Sequence, residues 1–91
     1  INIFINIIMK ERIFKKISEN IQIDKINIIN ESYLHKSHME GGGDDTHFKV
    51  EIKSKDFKGK TLIDCHKSIN KILKEEFDYN GLHALSIKVI R

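Results

Sequence analysis

The sequence predicts a single small α+β domain with the element order α-β-β-α-β. Apolar residues recur at helical spacing in two segments, apolar and charged residues alternate in others, and 91 residues fit one domain. We expect a three-stranded mixed sheet with the helices on one of its faces. Residues 1–8 are predicted to be a peripheral or disordered segment, and residues 9–91 to form the domain.

The first half of the chain predicts one helix, one strand and one loop. From Met9 to Ile21, apolar residues fall on one helical face, and isoleucines dominate the stretch from Lys25 to Tyr33, as in a strand. Residues 34–45 have no period and contain three consecutive glycines, so we predict a loop. The apolar face of the helix is predicted from Ile13, Phe14, Ile17 and Ile21.

The second half predicts strand, turn, helix and strand. Strict alternation from Thr46 to Ser54 predicts a half-exposed strand, and Phe57-Lys58-Gly59 predicts a turn. A capping box at Thr61–Asp64 begins a helix that runs to about Tyr79, and Ala84–Ile90 alternates as a last strand. Asn80-Gly81 predicts a left-handed cap. The residues predicted to be buried on this helix are Leu62, Ile69, Ile72, Leu73 and Phe77.

Composition and motifs narrow the function classes. A single cysteine, Cys65, excludes an intrachain disulfide and favours a reducing compartment. No tract approaches the roughly 20 apolar residues of a membrane span. No nucleophile–base pair has a recognisable spacing, Ser32 and Ser37 lie in no catalytic motif, and the glycine run lacks the features of a phosphate loop. We therefore predict a protein that is not an enzyme.

Strand connectivity is expected to bring several histidines together. The first two strands should pair antiparallel, and the last two, joined by a helix, should run parallel. Parallel strands start at the same end of a sheet, so His83 should lie near the loop that carries His35 and His38. Neutral imidazole is a common metal ligand, so His83 and His35, with His38 as the alternative to His35, are candidate metal ligands. The alternative for His83 is that its ring closes the helix end.

Other reactive side chains are given structural interpretations. His47 should lie on the sheet face opposite the core, as a surface histidine, and His66 should border the buried stripe of the helix. Cys65 is interpreted as a small buried apolar residue. A zinc site formed by two histidines and an acid is a weaker alternative, because no histidine–glutamate helical motif or cysteine pair accompanies it.

Nucleic-acid binding is the competing function class. The α-β-β-α-β order is also that of KH-like RNA-binding folds, and the central helix carries a basic stripe. The Gly-x-x-Gly clamp of such domains is missing, and acidic residues interrupt the stripe. The lysines of this alternative nucleic-acid-binding surface are Lys60, Lys67, Lys71 and Lys74.

Several short motifs together resemble the BolA family over about Met9 to Ile90. They are Asn30-Glu31-Ser32, Thr46-His47-Phe48-Lys49-Val50, Phe57-Lys58-Gly59, His66-Lys67 and Leu82-His83-Ala84-Leu85. The resemblance implies a BolA / KH-like α+β fold. Two features depart from the family pattern: Cys65-His66-Lys67 stands where Arg-His-Arg is expected, and the loop is a few residues longer, so that His38 competes with His35.

The resemblance also implies a function. Such a protein is an adaptor that binds a monothiol glutaredoxin and co-ligates a 2Fe–2S cluster, for cluster trafficking or for iron or redox sensing. His83 would be one ligand and His35, alternatively His38, the second; the glutaredoxin cysteine and glutathione would supply the others. The isolated protein is expected to be a monomer without a cofactor and without membrane association. We expect a reducing intracellular compartment, cytoplasmic or mitochondrial.

Overall fold

The computed structural model describes residues 9–31 and 47–91 as a three-stranded sheet packed against helices. The elements are α1 (Met9–Asn20), β1 (Ile23–Asn30), β2 (His47–Ser54), a 3₁₀ turn (Lys55–Phe57), α2 (Leu62–Ile72), α3 (Lys74–Tyr79) and β3 (Ala84–Val89). The predicted α+β class and mixed sheet are confirmed. The predicted peripheral segment 1–8 and the predicted loop at 34–45 lie outside the described residues.

The sheet has one face in the core and one open face. β2 lies between the other strands, antiparallel to β1 and parallel to β3, as predicted. Phe48, Val50 and Ile52 of β2 are buried beneath the helices, because alternate residues of a strand point to the same face. The residues of opposite parity define what we call the open face. By register they are Lys25, Asn27, Ile29, His47, Lys49, Glu51, Lys53, Ala84, Ser86 and Lys88.

Helix α1 packs through a narrow row of side chains. Met9, Ile13, Ile17 and the following Ile21 are buried, and their spacing of four residues places them along one side of the helix. The prediction that Phe14 belongs to the buried face was wrong: its side chain is 48% exposed. Because Phe14 follows Ile13 by one position, it points about 100° away from the buried row.

The crossover from β2 to β3 begins as predicted. Gly59 adopts φ +79° in the turn, a conformation that favours glycine. Thr61 then caps α2, its hydroxyl accepting from the Asp64 backbone nitrogen at 3.1 Å. The predicted burial of Leu62 was wrong, since its side chain is 54% exposed. Leu62 is the first residue of α2, and the helix reaches the core only one turn later, at Cys65.

The predicted single helix to Tyr79 is two helices. Leu73, fully buried, adopts φ −96° and ψ 13° between α2 and α3, and its carbonyl accepts from the nitrogens of both Glu76 and Phe77. The i→i+3 bond to Glu76 tightens the backbone at this break. Ile69 is buried as predicted, and the half-buried Ile72 and Phe77 pack against the core.

Two ion pairs join α1 to α3. Arg12 Nε lies 3.1 Å from Glu76 Oε1, and Lys16 Nζ lies 3.1 Å from Glu75 Oε1. The Glu76 side chain is fully buried, whereas that of Glu75 is exposed. The hydrogen bond to Glu75 raises the pKa of Lys16 above its usual value. Both pairs therefore join α1 to α3, one through a buried carboxylate and the other through an exposed carboxylate.

Among residues 9–31 and 47–91, every helix is too short or too polar to cross a bilayer.

Candidate functional site

Two histidines meet where the parallel strands begin. His47 is the first residue of β2, and the β-ladder pairs it with Ala84, the first residue of β3. His83 immediately precedes Ala84, so the chain brings the two imidazoles side by side. Their ring centroids are 5.4 Å apart and the ring planes are tilted by 39°. His83 is exposed and His47 half-exposed, so a ligand or partner can reach the pair.

Hydrogen bonds and burial fix the backbone that precedes His83. Gly81 adopts φ +87°, which confirms the predicted left-handed cap, and the next residue, Leu82, is buried. The Leu82 nitrogen donates to the Glu76 carbonyl at 3.0 Å, and the Asn80 nitrogen donates to the same oxygen at 3.2 Å. These bonds fix the chain on one side of His83, and strand pairing fixes it on the other.

The separation of the two rings is compatible with ligation of one metal ion. An ion about 2.1 Å from one nitrogen of each ring, in a near-tetrahedral arrangement, would place the ring centroids about 5 Å apart. The separation of 5.4 Å fits that arrangement. The described part of the chain contains no group of three or more His, Cys, Asp or Glu residues able to hold an ion. Further ligands would have to come from outside the described residues or from another molecule.

The predicted loop ligands, His35 and His38, lie outside the described residues. The residues on either side of the loop are described, and the Glu31 nitrogen donates to the His47 carbonyl at 2.7 Å. The chain between them therefore leaves and returns at the His47 end of the sheet. The loop thus begins and ends at the same end of the sheet as His83, as predicted. The identity of the second ligand stays a prediction.

His47 was not predicted as a neighbour of His83. Its predicted position on the face opposite the core agrees with its half-exposed state and with the alternation along β2. The register of the two parallel strands was not worked out from the sequence. The predicted strands begin at Thr46 and Ala84, and pairing their first residues in parallel would have placed His47 beside the last strand. That signal was available in the sequence.

The remaining predicted residues occupy other parts of the molecule. Cys65 is fully buried, as interpreted from the sequence, and His66 is half-buried on α2. The four lysines of the alternative nucleic-acid-binding surface, Lys60, Lys67, Lys71 and Lys74, are all exposed. Lys60 and Lys71 line a groove of about 680 Å³ that also contains Lys16, Glu19 and Asp56, and Lys74 pairs with Asp78. Acids thus accompany Lys60, Lys71 and Lys74, and one of them, Asp78, is among the acids of the helix that interrupt the stripe.

A family model for BolA-like proteins matches residues 17–90. The chain belongs to the BolA-like family. This BolA-like chain is 44% identical over 82 residues to the UV-induced protein uvi31 of Schizosaccharomyces pombe, covering 86% of the chain and 79% of that protein. It is 34% identical over 79 residues to a Vibrio cholerae protein described as the DNA-binding transcriptional regulator BolA, covering 87% of the chain and 71% of the relative.

Solved BolA structures have the same fold. The BolA-like chain matches the structure of BolA1 from Arabidopsis thaliana with a TM-score of 0.76 and 35% identity, over 88% of this chain and 87% of that one. None of the three descriptions names a catalytic activity.

Proposed function

We propose that this protein is a non-enzymatic adaptor that binds a monothiol glutaredoxin and shares a 2Fe–2S cluster with it. The observation that carries the proposal is the His47–His83 pair, with ring centroids 5.4 Å apart on an exposed end of the sheet. Membership of the BolA-like family supports the same conclusion. The cluster is the cargo of the adaptor, for trafficking or for iron and redox sensing.

The chemistry assigned to this chain is imidazole ligation. Two ligands from the histidine end of the sheet would leave the remaining positions to the thiolates of the glutaredoxin cysteine and glutathione. Replacing thiolate by neutral imidazole on iron raises the reduction potential. It also makes the bond sensitive to protons, because a protonated imidazole cannot bind a metal. Both properties suit a protein that releases or senses a cluster.

We assign His83 as one ligand, and the second position has three candidates. His47 is supported by its ring separation from His83. His35 and His38 are supported by the family pattern. A test must therefore compare the three.

Reconstitution tests the proposal. The protein is mixed with a monothiol glutaredoxin, glutathione, ferrous iron and sulfide, and the heteromeric cluster is followed by visible absorption and circular dichroism. His83→Ala should abolish or strongly alter the heteromeric spectrum, and one of His47→Ala, His35→Ala and His38→Ala should do the same. His66→Ala, on α2, is the matched control and should leave the spectrum unchanged. An unchanged spectrum in His83→Ala would overturn the assignment.

A second function, nucleic-acid binding, is favoured by the description of the Vibrio cholerae relative. In this reading Lys60 and Lys71, which line one groove, contact phosphates. Retention on duplex DNA that falls steeply between about 50 and 200 mM salt, and that weakens in Lys60→Gln and Lys71→Gln, would support it. Retention that is absent at physiological ionic strength would exclude it.

A further inference from the structure

The open face of the sheet carries an uneven distribution of charge. Its ionisable side chains other than His47 are four lysines and one glutamate, and the register shift between Ile23 and Lys25 leaves Asp24 out of the ladder. The charged residues of the face are Lys25, Lys49, Glu51, Lys53 and Lys88. All are exposed or half-exposed, so the face as a whole presents positive charge to its surroundings.

The glutamate is already engaged by its neighbours. Asn27 Nδ2 donates to Glu51 Oε1 at 3.2 Å, and Lys49 Nζ lies 3.5 Å from Glu51 Oε2. The Asn27 hydrogen bond and the charges of Lys49 and Lys88 hold the pKa of Glu51 below its usual value. Glu51 therefore stays ionised and satisfied within the face. With one glutamate against four lysines, the net charge left for an external partner is positive.

This basic face is continuous with the histidine pair. His47 belongs to the open face, and Ala84, its partner in the ladder, connects directly to His83. A molecule that contacts the imidazoles from solvent therefore meets the lysines of the same face next. The arrangement gives one surface two kinds of contact: metal ligation at one end and electrostatic attraction beside it.

We propose that the open face is the docking surface for the acidic surface of a protein partner, which reaches the His47–His83 pair at the edge of that face. The inference rests on the proposed function, because the docked protein is the one that supplies thiolate to the shared cluster. Complementary charge raises the association rate and fixes orientation more than it adds affinity. The lysines would thus align the partner so that its thiolate arrives at His83.

The chemistry of the face favours a protein over single-stranded nucleic acid. Binding of single strands uses aromatic side chains on which bases stack. The open face has no Phe, Tyr or Trp among its ten residues, and its apolar members are Ile29 and Ala84. A lysine-rich β-surface without aromatic side chains instead suits electrostatic docking of an acidic protein surface.

The test measures docking without the cluster. Calorimetry compares the cluster-free protein and an acidic monothiol glutaredoxin at low and high salt, for wild type, Lys49→Glu/Lys88→Glu and a control, Lys10→Glu/Lys15→Glu. The control carries the same change in charge on exposed positions of α1. We expect the open-face variant to bind about tenfold more weakly at low salt and to lose most of its salt dependence, with the control close to wild type.

Each other outcome is decisive. Equal weakening in both double variants, or no weakening in the open-face variant, overturns the proposal, as does an absence of measurable wild-type binding. Lys49→Gln/Lys88→Gln, which adds no negative charge beside Glu51, should show a smaller loss and guards against misfolding of the reversal variant. Loss of DNA retention in the open-face variant without loss of glutaredoxin binding would assign the face to nucleic acid. The proposed function is judged separately, by the cluster spectrum of His83→Ala.

Discussion

The buried ion pair between α1 and α3 should contribute far more to stability than its exposed counterpart. Arg12→Met removes the cation 3.1 Å from Glu76, and Lys16→Met removes the cation 3.1 Å from Glu75. Methionine keeps most of the aliphatic stem in each case. The variants differ in what is left behind: a carboxylate that is fully buried or one that water solvates.

The magnitude follows from burial. Removing one partner of a buried pair costs about 3–5 kcal/mol. Arg12 itself is one-third exposed, and Asn80 Nδ2 still donates to Glu76 Oε1 at 3.4 Å, which reduces the cost. Glu76 Oε2 has no hydrogen-bond partner among the described residues, so nothing described there compensates. We expect Arg12→Met to lower the free energy of unfolding by about 2 kcal/mol and Lys16→Met to lower it clearly less, because water and salt screen the exposed pair.

Urea unfolding followed by circular dichroism measures both values at pH 7. For a domain of this size about 2 kcal/mol corresponds to a fall in Tm of roughly 8–16 °C, so thermal unfolding is an independent check. Because the Glu76 carbonyl accepts from Leu82, the NMR resonances of the His83 ring should also shift in Arg12→Met and stay in place in Lys16→Met. Equal losses of stability in the two variants would refute the reasoning.

Three further predictions concern the core, the cap and the open face. Ile69→Ala, at a fully buried position, should lower the free energy of unfolding by about 2–4 kcal/mol, whereas Ile63→Ala, at a position 67% exposed, should change it by less than about 0.5 kcal/mol; similar losses in chemical denaturation would contradict the described core. Gly81→Ala should cost about 1 kcal/mol although nothing lies within 4 Å of the new Cβ, because φ is +87°, and an unchanged Tm would contradict that backbone conformation. Because the pKa of Glu51 is lowered, the stability that its ionised form contributes is present near neutrality and is lost as the pH falls below about 4.5. By NMR, Glu51 should titrate below pH 4.5 in wild type and closer to pH 4.5 in Asn27→Ala. Equal midpoints would exclude the hydrogen bond as the cause of the lowered pKa.

Periodicity and connectivity made most of the fold predictable. Alternation in β2 identified its buried side chains, and the Thr61 hydroxyl marked the start of α2. The parallel pairing of β2 with β3 followed from the helical crossover, and it correctly placed His83 at the starting end of β2. These inferences hold because they depend on local stereochemistry and on a small number of permitted topologies.

The errors arose where tertiary packing selects among apolar residues. Phe14 and Leu62 are as apolar as their buried neighbours, and periodicity assigns both to the buried side. The core buries a narrower row of side chains on each helix than the apolar pattern predicts, so Phe14 and Leu62 remain about half exposed. The break at Leu73 was missed for a different reason, since a leucine in a helical pattern carries no signal for an i→i+3 bond.

The site histidines are brought together by long-range pairing. His47 and His83 become neighbours only when β2 and β3 pair, after a crossover that includes two helices. Such pairing closes a long loop, and closure of this kind is among the slow events of folding. An ion held by both rings would therefore bind the folded chain in preference to the unfolded one and would stabilise it by mass action. Metal binding at this pair would thus shift the equilibrium towards the folded chain, and the unfolded chain would compete less well for the ion.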